Sequence, residues 1–411
     1  MNTREVVIIG GGPAGLAAAA ALKKAGVDDI LIVEREKQLG GILRQCIHDG
    51  FGLTRFKETL SGPEYSQRFI DEVKSLGIDF ITNATVIDLS HDKVVTVDSR
   101  EGLLKIRANA VILTMGCRER TRGALAIPGT RPAGIYNAGV AQSYMNLYNK
   151  MVGKHIVIMG SGDIGLIMAR RLTLEGAHVS AVCEILPYPS GLPRNIEQCL
   201  NDYNIPLYLS HSVIDIKGDP RIESVVAVQV DEHQKAIPGT EKEFPCDTLI
   251  LSVGLIPENE LSIGAGVTLD PRTKGAVVDE NFQTDVPGIF AAGNVLHVHD
   301  LVDFVSLEAE ALAEGVCRYL AGGETGTADI PIQAGANIGH VIPQRISGQQ
   351  NIRMSLRVRI PVKKCRLVVK QGDRILKSLT MPKAIPAEMI QIQLKAGDFL
   401  TKEPVEVMID E

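Results

Sequence analysis

What the chain lacks narrows its class before any motif is read. It has no cysteine pair close enough for a CxxC motif or a metal-ligand cluster. Its seven cysteines, at positions 46, 117, 183, 199, 246, 317 and 365, are scattered and odd in number. Such a set reads as reduced thiols, most of them small core hydrophobes, and argues against a disulfide-stapled scaffold. An excess of positive charge is also missing: the net charge is −6. The charge thus gives no general reason to expect nucleic-acid binding, and partners must be sought in local features. Nor does any apolar run reach bilayer length. The longest candidates, such as Ala14 to Leu22, are short and alanine-rich and read as buried helix. Arg4 and Glu5 lead straight into a strand, with no cleavable signal pattern, so a cytoplasmic protein is the expectation.

What is there is ordinary globular material, 45% apolar and 22% charged over 411 residues, enough for two or three compact domains. From Glu5 the pattern runs apolar strand (VVIIG), glycine turn, alanine-rich helix to Ala25, then a second apolar strand (ILIVE), which is a βαβ unit. The pattern returns at His155 as HIVIMG, SGDIG, a helix through Leu174 and Glu175, and HVSAVCE. AVILTMG (110 to 116) and TLILSVG (248 to 254) are apolar runs closed by glycine, as buried parallel strands feeding a cofactor crevice would be.

TDVPGIFAAGN (284 to 294) and the helical stretch Ser306 to Leu320 read as a strand and helix that rejoin the first unit, making it discontinuous. Residues 321 to 350, rich in Gly, Thr, Ala and Gln, read as a linker or surface wrap. Beyond them Ile352, Met354, Leu356, Val358 and Ile360 alternate with Arg353, Ser355, Arg357 and Arg359, the period of a half-buried strand with a basic outer face. A hairpin turning at Gly372 and the alternating Ile390, Ile392 and Leu394 follow.

The expected fold is therefore α/β. Two Rossmann-like, three-layer ββα dinucleotide-binding domains are expected, the second inserted in the first, with a small, mostly β C-terminal domain. The expected boundaries are 1–118 with 285–330, 119–284, and 345–411.

Two fingerprints carry the chemistry. In the first, Gly10, Gly12 and Gly15 of GGGPAG precede a helix opened by Pro13 and Ala14, and Glu34 ends the next strand 24 positions beyond Gly10. The first glycine makes the tight turn, the second admits the pyrophosphate and the third lets helix and strand approach. The helix start offers free N–H groups and a positive dipole end, and Glu34 would accept from ribose hydroxyls. In the second, Gly160, Gly162 and Gly165 frame Asp163 and Ile164, and Glu184 again lies 24 positions beyond the first glycine. A glutamate suits the free 2′-hydroxyl of NADH and would repel the 2′-phosphate of NADPH, and no arginine pair replaces or follows it.

With these residues in place the chain resembles the two-dinucleotide-domain flavoproteins related to pyridine nucleotide-disulfide oxidoreductases, over about residues 1 to 325. LGG (39 to 41), VILTMG (111 to 116), TLILSVG and TDVPGIFAAGN match further motifs of that family. The resemblance implies FAD on the first unit and a nicotinamide nucleotide on the second. It assigns Gly41, Val86, Gly116, Gly293 and Asn294 to FAD, with Val86 against the adenine, and Gly254 to NAD(H). Two departures stand out. Asn294 occupies the place of a usual aspartate, and an amide can still bond a ribityl hydroxyl. Only Cys46 is present where disulfide reductases carry two cysteines, so dithiol exchange is not expected.

GGILRQCIHDGFGL, LTRFKETLSGPEY, MGCRERTRGAL and the basic C-terminal module are similar to a narrower branch. These are the flavoprotein subunits that accompany anaerobic-type glycerol-3-phosphate dehydrogenases and, more distantly, the alpha subunits of opine oxidase and hydrogen cyanide synthase. That similarity implies an electron-transfer subunit working with a flavin-containing dehydrogenase partner in a hetero-oligomer. A stand-alone NADH oxidase or reductase of a small acceptor, and a flavoprotein that only stabilises an assembly, are the alternatives.

Cys46 and His48 are candidates for flavin-side catalysis, a thiolate or imidazole holding charge or a proton there; the competing reading is that Cys46 packs and His48 caps the turn before Gly50. His297, His299 and Asp300 either line the flavin edge or serve structure. With no further ligand cluster beside the two histidines, no metal is expected. The run Arg353 to Lys370, with seven basic residues and no acidic one, is either a partner-docking face or a solvated one.

Overall fold

A computed structural model describes residues 2–322 and 328–410. The chain divides into two units, one formed by residues 1–117 and 257–411, the other by 118–256.

In the first unit Val6 to Ile9 are apolar on both sides of the strand Asn2–Ile9 and 0–4% exposed, as a central parallel strand requires. Val6 and Ile8 face the helices Pro13–Lys24, Gly62–Ser75 and Val302–Leu320, meeting Leu16, Leu22, Tyr65, Phe69 and Leu312. Val7 and Ile9 face the opposite core with Val95, Val97, Val267 and Val278. Each such side chain contributes roughly 1.5–3 kcal/mol by leaving water.

The sheet runs Asp79–Ile81, Ile30–Val33, Asn2–Ile9, Gly102–Leu113, Val94–Ser99, Thr85–Leu89, with Ile289–Ala291 also on Gly102–Leu113. The long strand Gly102–Leu113 serves two layers: from Ile106 its end pairs parallel with Asn2–Ile9, while its first half pairs antiparallel with Val94–Ser99. Helix Gly62–Ser75 starts at a reciprocal cap, Ser61 N–H donating to Glu64 and Glu64 N–H to Ser61.

The second unit repeats the theme. Its parallel sheet orders Leu207–Leu209, His178–Glu184, His155–Met159, Thr248–Leu251 and Ile135–Asn137. A three-stranded antiparallel sheet, His211–Lys217, Ser224–Gln229 and Lys242–Pro245, shares a core with one face of it through Val213, Val225 and Leu249.

Three expected boundaries move. Residues 257–284, expected in the second unit, belong to the first, because Ala265, Val267, Ala276 and Val278 bury in its second core. The expected linker 321–350, of which 323–327 lie outside the described residues, contains the strands Ile330–Ala334, Ile338–Ile342 and Arg345–Ile346. Ile330, Ile332, Ile338, Val341 and Ile346 share one core with Ile352, Met354, Leu367 and Val407, so the β module starts near 330 and not at 345. The helix expected from Ser306 begins one turn earlier, at Val302. The hairpin at Gly372 and the strand Ile390–Leu394 lie where the alternation puts them. Among the described residues no helix is long and apolar enough to cross a membrane.

Candidate functional site

Both glycine fingerprints sit at strand-to-helix turns. Gly12 is the N-cap of Pro13–Lys24 and Gly162 of Asp163–Leu174, and neither helix start has a side-chain cap. Apart from Gly165 N–H, which donates to Ser252 Oγ at 3.1 Å, the first N–H groups of two 12-residue helices are left for water or an anion, the condition for holding a pyrophosphate.

In the first cradle a Cβ on Gly15 would stand 1.9 Å from the Gly10 carbonyl oxygen, so no larger residue fits where helix meets strand. Gly41 and Gly293 close on the same helix start: their positions for a Cβ lie 3.0 Å from Gly12 Cα and from Ala14 Cβ respectively. Gly293, at φ +76°, has the left-handed backbone that glycine adopts without strain. The second motif at 289–294 is thus brought onto the first fingerprint by the fold.

Glu34 is 5% exposed. One of its oxygens accepts from Gly11 N–H at 2.7 Å and the other from Glu36 N–H at 2.7 Å. A lone pair stays open on each oxygen for a ribose hydroxyl. Ala84 N–H donates to the Glu34 carbonyl, which sets the start of Thr85–Leu89 and its half-buried Val86 beside this corner. Gly116 closes the strand end with open space around its α-carbon. These residues fit an FAD dinucleotide: an uncapped helix start, a close backbone approach and a buried acceptor.

In the second cradle Glu184 is buried and more heavily engaged. It accepts from Ser161 N–H at 3.0 Å, Ser161 Oγ at 2.5 Å, Ser190 Oγ at 2.9 Å and Leu186 N–H at 3.0 Å. Neither serine is singled out by the sequence; Ser161 stands between the first two glycines of GSGDIG, where the motif specifies no residue, and Ser190 leaves no signal. Asp163 turns away from the turn, accepting from Leu192 N–H and Asn195 Nδ2 at 2.8 and 2.7 Å. Ile164 packs on the core, and Gly254 accepts from Arg120 N–H through its carbonyl.

The flavin-side candidates are placed less favourably. Burial pushes the Cys46 thiol up to about 12, and its sulfur donates to Ile42 O at 3.4 Å. The thiolate envisaged for Cys46 is therefore corrected to a thiol, since burial disfavours the charged form. His48 lies against Phe51, ring centres 4.8 Å apart, with Nδ1 3.1 Å from Asp49 O, a geometry that fits turn support.

Downstream of Asn294 the structure gathers a group that sequence spacing hid. The side-chain oxygen of Asn294 accepts His299 N–H at 3.0 Å and lies 3.3 Å from His299 Nδ1, while its nitrogen donates to Cys117 Sγ at 3.6 Å. His297 Nε2 is 2.7 Å and His299 Nε2 3.4 Å from one oxygen of Glu308, whose other oxygen accepts Gly293 N–H at 2.8 Å. Although burial opposes it, the facing histidines hold the Glu308 carboxyl well below the usual range, and burial pulls His297 down.

The expectation of no metal rested on the lack of a third donor, and Glu308 supplies one, all three donor atoms lying within 4.8 Å of one another. Yet two donors sharing one zinc at about 2.1 Å would stand roughly 3.4 Å apart. The 2.7 Å between His297 and Glu308 is a hydrogen bond.

Asp300 does not line an open edge: it pairs with Arg357 at 3.1 Å and accepts Met389 N–H at 3.3 Å, tying the loop to the C-terminal module. Arg357, expected on a basic outer face, is thus turned inward and also donates to Pro386 and Ala387 carbonyls.

The sequence profile of the pyridine nucleotide-disulphide oxidoreductases matches residues 4–313. The glutamate synthase [NADPH] small chain of Mycobacterium tuberculosis is 27% identical over 354 residues, covering 78% of this chain and 68% of that protein. One of the opine oxidase subunits of Agrobacterium tumefaciens is 26% identical over 313 residues, covering 71% of this chain and 61% of that one. The crystal structure of T. acidophilum thioredoxin reductase superimposes with a TM-score of 0.64 at 22% identity, covering 78% of this chain and 99% of the other, a likeness of fold. The chain belongs to the pyridine nucleotide-disulphide oxidoreductase family and is an FAD- and pyridine nucleotide-dependent oxidoreductase on two Rossmann-type units.

Proposed function

We propose that this protein passes hydride between NAD(H) and bound FAD as the electron-transfer subunit of a larger dehydrogenase of the glycerol-3-phosphate type. The observation that carries the reading is the pair of uncapped helix starts, each backed by a buried glutamate held on backbone N–H groups. FAD, when bound, supplies the hydride chemistry with the nicotinamide. The chain's own part is to bind and orient: the helix starts take the phosphates, Glu34 and Glu184 accept from the riboses, and Gly41 and Gly293 let backbone close on the first cradle.

The preference for NADH rests on Glu184, a carboxylate that repels a 2′-phosphate, and on the absence of arginine in the EILPYPSG stretch that follows it. The role of a relay rests on the single cysteine at the flavin-side loop, which cannot provide an attacking and a resolving sulfur. Two relatives are themselves parts of larger enzymes by name, a glutamate synthase small chain and an opine oxidase subunit.

Anaerobic rapid mixing of the flavin-loaded protein with NADH and with NADPH tests this. Bleaching of the flavin absorbance by NADH, at least tenfold faster than by NADPH, is the expected result, together with slow turnover on oxygen. A flavin that neither nucleotide bleaches removes the redox role, and fast oxygen turnover by the isolated chain points to a stand-alone oxidase. Copurification of a dehydrogenase that oxidises glycerol 3-phosphate identifies the partner; a partner acting on another substrate removes the glycerol-3-phosphate assignment.

A further inference from the structure

The geometry of the cluster behind Asn294 bears on how many protons it holds. Asn294 accepts a backbone N–H from His299, and only the side-chain oxygen can do so, which fixes the amide's orientation. The same oxygen faces His299 Nδ1 at 3.3 Å, so Nδ1 carries a hydrogen; two bare acceptors would otherwise meet. The remaining nitrogen, Nε2, is buried with its side chain 1% exposed, finds no hydrogen-bond partner, and lies 3.4 Å from Glu308. A neutral ring would aim a lone pair at that carboxylate. One added proton converts the repulsion into an ion pair.

His297 does not supply the counter-charge. It gives its one N–H to Glu308 through Nε2, its Nδ1 meets no partner, and burial favours its neutral form. The other groups facing the cluster come from the C-terminal module and the 257–284 segment. They are His340, whose ring lies 5.6 Å from His297 and which burial pulls down to about 3, Arg357 paired with Asp300, and Arg272. His297 and His299 rings lie 4.2 Å apart.

We propose that His299 is an imidazolium held between Glu308 and Asn294, a positioning residue that sets a fixed positive charge behind the second FAD motif. The proposal rests on the assignment of FAD to the first unit. It also accounts for asparagine at 294, where a carboxylate would compete with Glu308 for the same charged ring. Relative to a neutral ring, the charge offsets the Glu308 carboxylate that bonds Gly293, disfavours the added negative charge of a reduced flavin less, and so raises its midpoint potential.

Long-range 15N correlation spectra of the histidine rings in the whole chain, with and without FAD, read the charge directly. Both His299 nitrogens protonated at pH 7 is the expected pattern; a bare Nε2 overturns the proposal, even where FAD binding itself fails. In the flavin-loaded protein His299→Gln keeps a donor amide without charge, and the midpoint potential is expected to shift downward while FAD affinity stays within a few-fold. An unchanged potential leaves only a structural role and overturns the proposal. If H299Q does not fold, Asn294→Asp serves: its carboxylate offsets the imidazolium and is expected to lower the potential likewise, and no shift overturns it. Stoichiometric zinc or iron in the purified chain, lost in H299Q, also overturns it.

Discussion

The two glycine cradles have the same interval between first glycine and acid, yet their glutamates are left with different capacities. Glu34 accepts two backbone N–H groups, one per oxygen, and keeps two acceptor positions open. Glu184 takes three donors on one oxygen, Ser161 N–H, Ser161 Oγ and Ser190 Oγ, and one, Leu186 N–H, on the other, which leaves a single open position where Glu34 has two. The cause lies between the glycines. Gly11 carries no side chain, and a Cβ there would stand 2.5 Å from Leu39 and 3.1 Å from Glu34. Ser161 occupies the matching place in the second turn and bonds Glu184 by main chain and hydroxyl together. Glycine spacing thus fixes the course of the backbone, while the residue inside the turn decides how much of the acid remains for a ligand.

The largest effect that would sharpen this contrast is at the third glycines. In Gly15→Ala the new methyl meets the backbone oxygen of Gly10 at 1.9 Å, and main chain cannot step aside. Loss of soluble, flavin-bearing protein is expected. In Gly165→Ala the nearest atoms are the Cβ and Oγ of Ser252, at 2.6 and 2.8 Å, with backbone no closer than 3.1 Å. A soluble protein destabilised by about 1–3 kcal/mol is expected, partly rescued by Ser252→Gly. Thermal unfolding of the two variants decides, and equal losses would break the comparison.

Next in size are the acids themselves. Glu34→Ala strands the buried Gly11 N–H, at a cost of about 1–3 kcal/mol, and removes a ribose acceptor, so FAD retention on gel filtration should fall sharply. Glu184→Ala strands Ser161 N–H, but two hydroxyls can turn to other partners, and flavin content should hold. Its expected signature is a relaxed preference against NADPH, read from the ratio of flavin reduction rates. An unchanged ratio would remove Glu184 from the specificity assignment.

Both cradles were legible because everything that makes them is local: glycines at offsets of two and five residues, an apolar strand on each side, an acid at the next strand end. The C-terminal β module was legible from period-two alternation, but its first strands were not. Ile330, Ile332 and Ile338 are set among proline, glycine and alanine, and their burial comes from Val405 and Val407 more than sixty positions away.

The same distance hid the cluster behind the second FAD motif. The HVH spacing was visible, but Glu308 reaches it from within what the sequence offers only as a helix face, and His340 from the next domain. Arg357 looked solvated because alternation places it on an outer face, and only the fold brings Asp300 beneath it. Charge pairs between remote segments leave no periodic trace, so sequence reading finds backbone cradles more readily than buried polar networks.

The smallest expected effect is the most specific to the difference between the cradles. Ser190 donates its hydroxyl to Glu184 at 2.9 Å and its own N–H to Ser161 Oγ at 2.9 Å, so Ser190→Ala removes the first bond and keeps the second. The crowded oxygen of Glu184 then keeps its two Ser161 donors, and the other oxygen keeps the one open position it already has beside Leu186 N–H. A ribose hydroxyl can take it without displacing a protein donor. Stability should change by under about 1 kcal/mol, since the lost bond is a single hydroxyl of an exposed residue. NADH affinity, measured by calorimetry, should hold in the variant, because the open position on the second oxygen is untouched. A fall in affinity would mean that the Ser190 hydroxyl itself contacts the nucleotide, and the second cradle would then hold its ribose through serine as well as glutamate.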